Sequence, residues 1–274
     1  MADSDPSALR PLIDAWSASA SAVLDLVDTL NEDDIRQPTD LPGWTVRDIV
    51  AHLAHLESEL AGDEPVLADA SDIPEDARED AFRSYTERGV AARRSRGTDE
   101  LVAELRSAVD RLRTTLDSPE PPPPPAAFPR PGGSWEPLLR DRTFDYWMHE
   151  QDIRRALGRE GGWESPGALM SVATLRAALP YVVGKKVRPP MGTTIAITIE
   201  GPDWVDTVAL RVGDDGRARE VDAGADAPDA GLTMTVEDFV LAGGGRRDPS
   251  TLEVEVTGDT DLARRVLHAL AVTP

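Results

Sequence analysis

The sequence predicts an α+β fold in two domains. Three observations carry this reading: apolar residues at helical spacing through the first half, a dense proline run near the middle, and alternating β-branched segments in the last third. In the first helix, from Pro6 to Leu30, the apolar positions are Leu9, Leu12, Ile13, Trp16, Ala20, Val23, Leu24, Val27 and Leu30. Pro6 after Asp5 suits a helix start, where a missing N–H costs nothing. A second helix opens after Leu41-Pro-Gly-Trp44, with Thr45 as cap and Asp48 in capping-box position. A third pattern covers Asp76 to Arg94, and a fourth runs from a Thr98 cap to Leu116. Ser118 to Gly133 is too proline-rich for helix or sheet pairing and reads as a stiff connector. Pro137 to Leu157 is helical again and stops at Gly158. Ser165-Pro166 opens a last apolar helix to about Val183.

The texture then changes. Residues 193–199, 204–212, 231–236 and 251–257 alternate with the period of a strand. Short helices are expected at Glu237–Leu241 and Asp259–Leu270. The boundary falls near residues 160–190, giving a helical bundle over 6–160 and an α+β domain with a leading helix over 165–274.

Composition narrows the chemistry. The 274 residues carry 50 Asp+Glu against 29 Lys+Arg, a formal charge of −21, and no cysteine. Disulfides, thiolate metal sites and a cysteine nucleophile are excluded. General attraction to nucleic acid or an anionic membrane is disfavoured, because Lys/Arg patches hold such partners. The start, MADSDPSALR, lacks the basic and apolar character of a signal peptide, and no apolar run approaches the ~18 residues of a span. A cytoplasmic protein is expected, as a monomer or a homodimer.

Four histidines are present: His52, His55, His149 and His268. At about 100° per residue, Val46, Ile49, Val50, Leu53, Leu56 and Leu60 form one buried arc. His52 lies about 90° from its centre, able to point between helices, and His55 about 150° away, on the outer face meeting water. Asp145 and His149 are four apart and share a helix face, with Arg142 three before Asp145. An acid and an imidazole facing a histidine from another helix form a metal site inside a bundle, with open positions for catalysis. Such ligands suit Zn²⁺, and also Fe²⁺, Mn²⁺ or Ni²⁺. The same Asp-x-x-x-His spacing also arises as a surface ion pair. Asp152 with Arg154 or Arg155 reads as surface electrostatics, His268 as structural, and Glu59 as a spare ligand or base. No G-x-S-x-G elbow or phosphate loop occurs. Gly243-Gly-Gly-Arg-Arg247 reads as a turn whose Arg246 and Arg247 are either solvated charges or an anion site.

The blocks LPGWTVRDIVAHLAHLE and RTFDYWMHEQDIRRALG resemble the two metal-binding helices of the mycothiol-dependent maleylpyruvate isomerase family. DAGLTMTVEDFVLAGGG and LEVEVTGDTDLARRVLHALAVTP resemble that family's C-terminal domain. The resemblance implies a DinB-like four-helix bundle followed by a small domain similar to sterol carrier proteins. It implies a divalent metal, usually zinc, on His52, Asp145 and His149, with Asp145 standing where the family pattern has Glu. It also implies that the metal ionises the thiol of mycothiol, which adds to an electrophilic, anionic small molecule such as maleylpyruvate and allows cis–trans isomerisation. Arg246, less surely Arg247, would anchor a substrate carboxylate, and Trp44 and Trp147 would be core or cavity wall. An S-transferase, a metal-dependent hydrolase and a non-catalytic binding protein are the alternatives.

Overall fold

The computed structural model describes residues 6–125, 134–222 and 227–273. It divides into two compact units, up to Ser171 and from Val172 on. The first is helical: α1 (Pro6–Val27), α2 (Glu32–Ile35), α3 (Val46–Leu60), α4 (Ala81–Ala91), α5 (Thr98–Leu116) and α6 (Trp135–Leu157). α7 (Pro166–Ala177) crosses the division.

Local chemistry sets most boundaries. Thr45 and Asp48 form the expected capping box, and Gly158 ends α6 in the left-handed region at φ 61°. Gly97, not Thr98, caps α5, because Glu100 reaches back to the Gly97 N–H at 3.2 Å. The expected helix from Asp76 to Arg94 is broken: a 3₁₀ turn over Glu75–Arg78 precedes Asp80, whose carboxylate caps α4. α2 was not foreseen, although Asn31 and Asp34 form a capping box there. In the connector, residues 118–125 are irregular, with Pro122 O accepting from Trp135 Nε1 at 2.6 Å. Its remainder, 126–133, lies outside the described residues.

The bundle core is built on α3. Every residue of α3 except Arg47 is buried. Trp16, Ala20 and Val23 of α1, Leu101, Leu105 and Leu112 of α5, and Leu139 of α6 join its apolar face. The polar residues that share this burial are partnered across helices. Glu57 accepts from Arg142 at 2.9 Å and from Trp16 at 3.0 Å, Asp48 pairs with Arg94, and Ser58 donates to Glu104.

His55 corrects the sequence reading. It is fully buried rather than facing water, because α4 covers the outer face of α3. Its ring lies against Gly89, where an added Cβ would stand 2.0 Å from His55 Cδ2, so only glycine permits this approach. The Tyr85 ring lies tilted at 40° with its centroid 5.0 Å from that of His55, and its hydroxyl donates to Glu59, whose other oxygen is 3.2 Å from His55 Nδ1. Glu59 therefore belongs to this cluster and not with His52. Burial pushes His55 down to about 3 and raises Glu59, both toward the uncharged form.

The second unit continues from α7 through α8 (Leu179–Tyr181) into a π-helical turn over Val182–Val187. The α-helical run to Val183 expected from the sequence is thus interrupted at Ala178. The stretch Pro166–Val187 is long and apolar enough to cross a membrane by length and composition alone, contrary to the sequence reading, and 44% of its most apolar window is buried inside the fold. Five strands follow: β1 (Thr194–Glu200), β2 (Val205–Val212), β3 (Ala218–Val221), β4 (Ala230–Thr235) and β5 (Glu255–Gly258). They form one sheet in the order β3-β2-β1-β4-β5, with β1 and β4 parallel and the other pairs antiparallel. Ile195, Ile197 and Ile199 pair with Leu210, Val208, Leu232 and Met234 on the buried face. The short edge strand β3 was missed; Gly213-Asp-Asp-Gly216, with Gly216 at φ 70°, is the hairpin signal for it.

α9 (Val236–Gly243) and α10 (Thr260–Ala269) pack against β4. His268 is exposed, not structural: α10 buries Leu262, Ala263, Val266 and Leu267, and a residue two beyond Val266 points about 200° away.

Gly89→Ala is expected to cost about 1–3 kcal/mol or more in urea unfolding, since the buried imidazole has no room to yield. The folded chain keeps His55 neutral down to about pH 3, whereas the unfolded chain protonates it near 6.5. The unfolded state then binds more protons between those values, so this stability is complete above pH 6.5 and is lost as pH falls toward 3. Wild-type protein should lose on the order of a few kcal/mol relative to His55→Gln across that window. Equal slopes of unfolding free energy against pH in the two proteins would refute this.

Candidate metal centre

α3 and α6 place three candidate ligands together. The ligand atoms of His52, Asp145 and His149 all lie within 4.8 Å of one another. His52 Nε2 is 3.2 Å from Asp145 Oδ2, and His149 Nε2 is 3.4 Å from Asp145 Oδ1. Ligands around a tetrahedral zinc ion at about 2.0–2.1 Å stand about 3.3 Å apart, so both distances match the edges of such a site. The sequence-predicted triad is thus brought to one place, with both imidazoles buried and the Asp145 side chain 29% exposed on the open side.

The surroundings orient this set. His149 Nδ1 is 3.1 Å from Asp152 Oδ2, and Arg155 donates to the other Asp152 oxygen at 2.6 Å and to Asp40 at 2.8 Å. Asp152 is fully buried, so it is not the surface charge the sequence suggested. The signal was the three-residue step from His149 to Asp152 on one helix face. With Nδ1–H donating to Asp152, the His149 lone pair at Nε2 faces the Asp145 carboxylate. Two acceptors facing each other need a cation or a proton between them, and a divalent metal meets that need. The Nδ1 of His52 is buried without a hydrogen-bond partner, so on that side packing orients the ring, and Asp145 holds it at Nε2. Trp44 supplies that packing: its ring centroid is 5.2 Å from that of His52 and 6.0 Å from that of His149, stacked at 25° on the latter. Trp44 Nε1 is held by Glu87 at 3.0 Å.

Charge follows from these contacts. Burial opposes ionisation of Asp145, but His52, Arg142 and His149 outweigh it and hold the carboxyl well below its usual range. Burial lowers His52. Burial would also lower His149, but Asp145, backed by Asp152, raises it. Arg142 donates to Asp145 at 2.5 Å and to Glu57, which joins the site to the bundle core.

The remaining candidates lie elsewhere. Trp147 is core: fully buried, donating to Gly162 O at 3.0 Å beside Trp163. Arg246 belongs to the C-terminal unit, at the turn after α9, where its Nη1 donates to Gly244 O at 2.6 Å, and Arg247 beside it is exposed.

No curated protein sequence matches the chain. Among solved structures, the mycothiol-dependent maleylpyruvate isomerase shares the fold at 15% identity, over 91% of this chain and 92% of that one, with a TM-score of 0.52. A mutant of that isomerase aligns over 90% and 92% at 13% identity, also with a TM-score of 0.52. Sterol Carrier Protein 2 Like 2 from Aedes Aegypti aligns with 36% of this chain and 95% of its own at 20% identity, but a TM-score of 0.29 carries no weight. The family model for the MDMPI C-terminal domain matches residues 170–265, and that for the mycothiol maleylpyruvate isomerase N-terminal domain matches residues 16–154. With that match spanning more than half of its length, the chain belongs to the mycothiol maleylpyruvate isomerase family of enzymes.

Proposed function

We propose that the chain is a divalent-metal-dependent isomerase that uses mycothiol to act on maleylpyruvate or a closely related electrophilic, anionic small molecule. The observation that carries this reading is the convergence of His52 Nε2 and His149 Nε2 on the Asp145 carboxylate. In it, His52, Asp145 and His149 hold the metal, with zinc the best fit to two imidazoles and a carboxylate. A divalent metal held by these three residues would supply Lewis acidity, lowering the pKa of the mycothiol thiol toward neutral pH.

The chain's own residues prepare the site. Asp152 fixes the ring and tautomer of His149. Arg142 keeps Asp145 anionic and aimed between the imidazoles. Trp44 walls the two rings and excludes water from one side. Arg246 is the proposed anchor for a substrate carboxylate, supported by its place within the stretch that the family's C-terminal model matches and by the fork its guanidinium offers.

Purified protein is expected to carry about one equivalent of divalent metal by mass spectrometry and to turn over maleylpyruvate only with mycothiol. His52→Ala should reduce both, activity by at least about a hundredfold. Wild-type protein that neither retains nor takes up metal sinks the proposal. Accumulation of a mycothiol adduct in place of the trans product would select an S-transferase. Asp152→Asn leaves all three ligands in place and should weaken metal affinity about 10–100-fold in a chelator competition.

A further inference from the structure

The C-terminal unit concentrates positive charge in one place. Both lysines of the chain, Lys185 and Lys186, lie on the π-helical turn, and Arg188 follows it. α10 packs on that turn and presents Arg264, Arg265 and His268 from its exposed side. Lys186, Arg264, Arg265 and His268, with Val187 and Ala269, line a cavity of about 380 Å³.

These cations are positioned without being neutralised. Arg265 donates to Val187 O at 2.6 Å, Arg188 to Lys185 O at 2.8 Å and Lys186 to Ala271 O at 2.5 Å. Among the described residues, none of Lys185, Lys186, Arg188, Arg264 and Arg265 forms an ion pair, although acids outnumber bases in this chain. Arginines elsewhere find carboxylates readily, as Arg106 does with Asp28 and Arg176 with Glu220. The one carboxylate shown to feel His268 is Asp248, which is already engaged by Ser250. The backbone is specialised too. π-Helical turns cluster at functional sites, and Arg188 occupies the left-handed region at φ 52° although it is not glycine.

We infer that this cavity binds a compact oxyanion of two or more charges, the chemistry shared by free phosphate and a phosphate monoester. The pocket is shallow and open, and its size admits a small ligand to the cationic side chains that line it. The net charge of −21 repels nucleic acid and anionic membranes at long range, whereas a small anion seated among the cations feels mainly the field within a Debye length of about 8 Å. The pocket is lined by residues of the C-terminal unit alone and uses none of the candidate metal ligands.

The test titrates the intact protein with inorganic phosphate at pH 8 and constant ionic strength, reading the His268 ring protons by NMR. That signal comes from a residue that lines the pocket itself. Saturable shifts are expected, and Arg264→Glu and Lys186→Glu should each weaken the apparent affinity at least tenfold while leaving the circular dichroism spectrum unchanged. Both residues are exposed, so either variant suffices if the other misfolds. A linear response, or saturation that both variants leave intact, overturns the site. Duplex DNA or anionic vesicles competing better than inorganic phosphate for the same residues overturns the small-anion assignment. Glycerol phosphate run in parallel separates a monoester from free phosphate as the preferred form.

Discussion

The helical unit is organised around one buried cation. Arg142 is almost fully enclosed and donates to Glu57 on α3 and to Asp145 on its own helix. Burial alone would lower its pKa, but the two carboxylates outweigh that and keep it charged. Removing one partner from such a group costs about 3–5 kcal/mol, because the other charge is left stranded. The spacing of α3 and α6 is thereby tied to the electrostatics of the site. If the helices part, Arg142 loses Glu57, and the imidazoles of α3 and α6 no longer face the same carboxylate. Stability and site geometry rest on the same guanidinium.

Much of this was legible before any coordinates, and the reasons are specific. The pair Asp145 and His149 follows from the helical repeat, and His52 from its phase at the edge of an apolar stripe. Thr45 with Asp48, and Gly158, fix helix ends by local hydrogen bonding, which short sequence motifs encode well. His55 and Glu59 were misplaced because helical phase describes one helix against one core. It contains no information about a second cover, and α4 with Gly89 supplies that cover from more than thirty residues away. Asp152 was misread for the same reason: spacing shows that two residues share a face but not that Asp40 and Arg155 close over them. The edge strand β3 carries charged residues and lacks the alternation that marked its neighbours.

Charge in this chain is distributed by function rather than averaged. In the helical unit acids and bases are interleaved, and buried members are paired with carboxylates, Arg142 with Glu57 across α6 and α3 and Arg155 with Asp152 along α6. In the C-terminal unit, the cations around the π-helical turn are held by backbone carbonyls instead. A net charge of −21 therefore coexists with a local positive field. At physiological ionic strength screening separates the two, so the global value says little about what a cavity a few ångströms across attracts.

The burial of α3 has an evolutionary consequence. Arg47 alone among its residues escapes burial, so the helix has almost no solvent-facing position at which substitutions are neutral. A change that elsewhere on the molecule drifts freely must here be matched by a compensating change on α1, α4, α5 or α6. Divergence within such a helix proceeds by coupled pairs, in the manner of Gly89 with His55 or Glu57 with Arg142. Homologues that differ at one member of a pair should differ at the other.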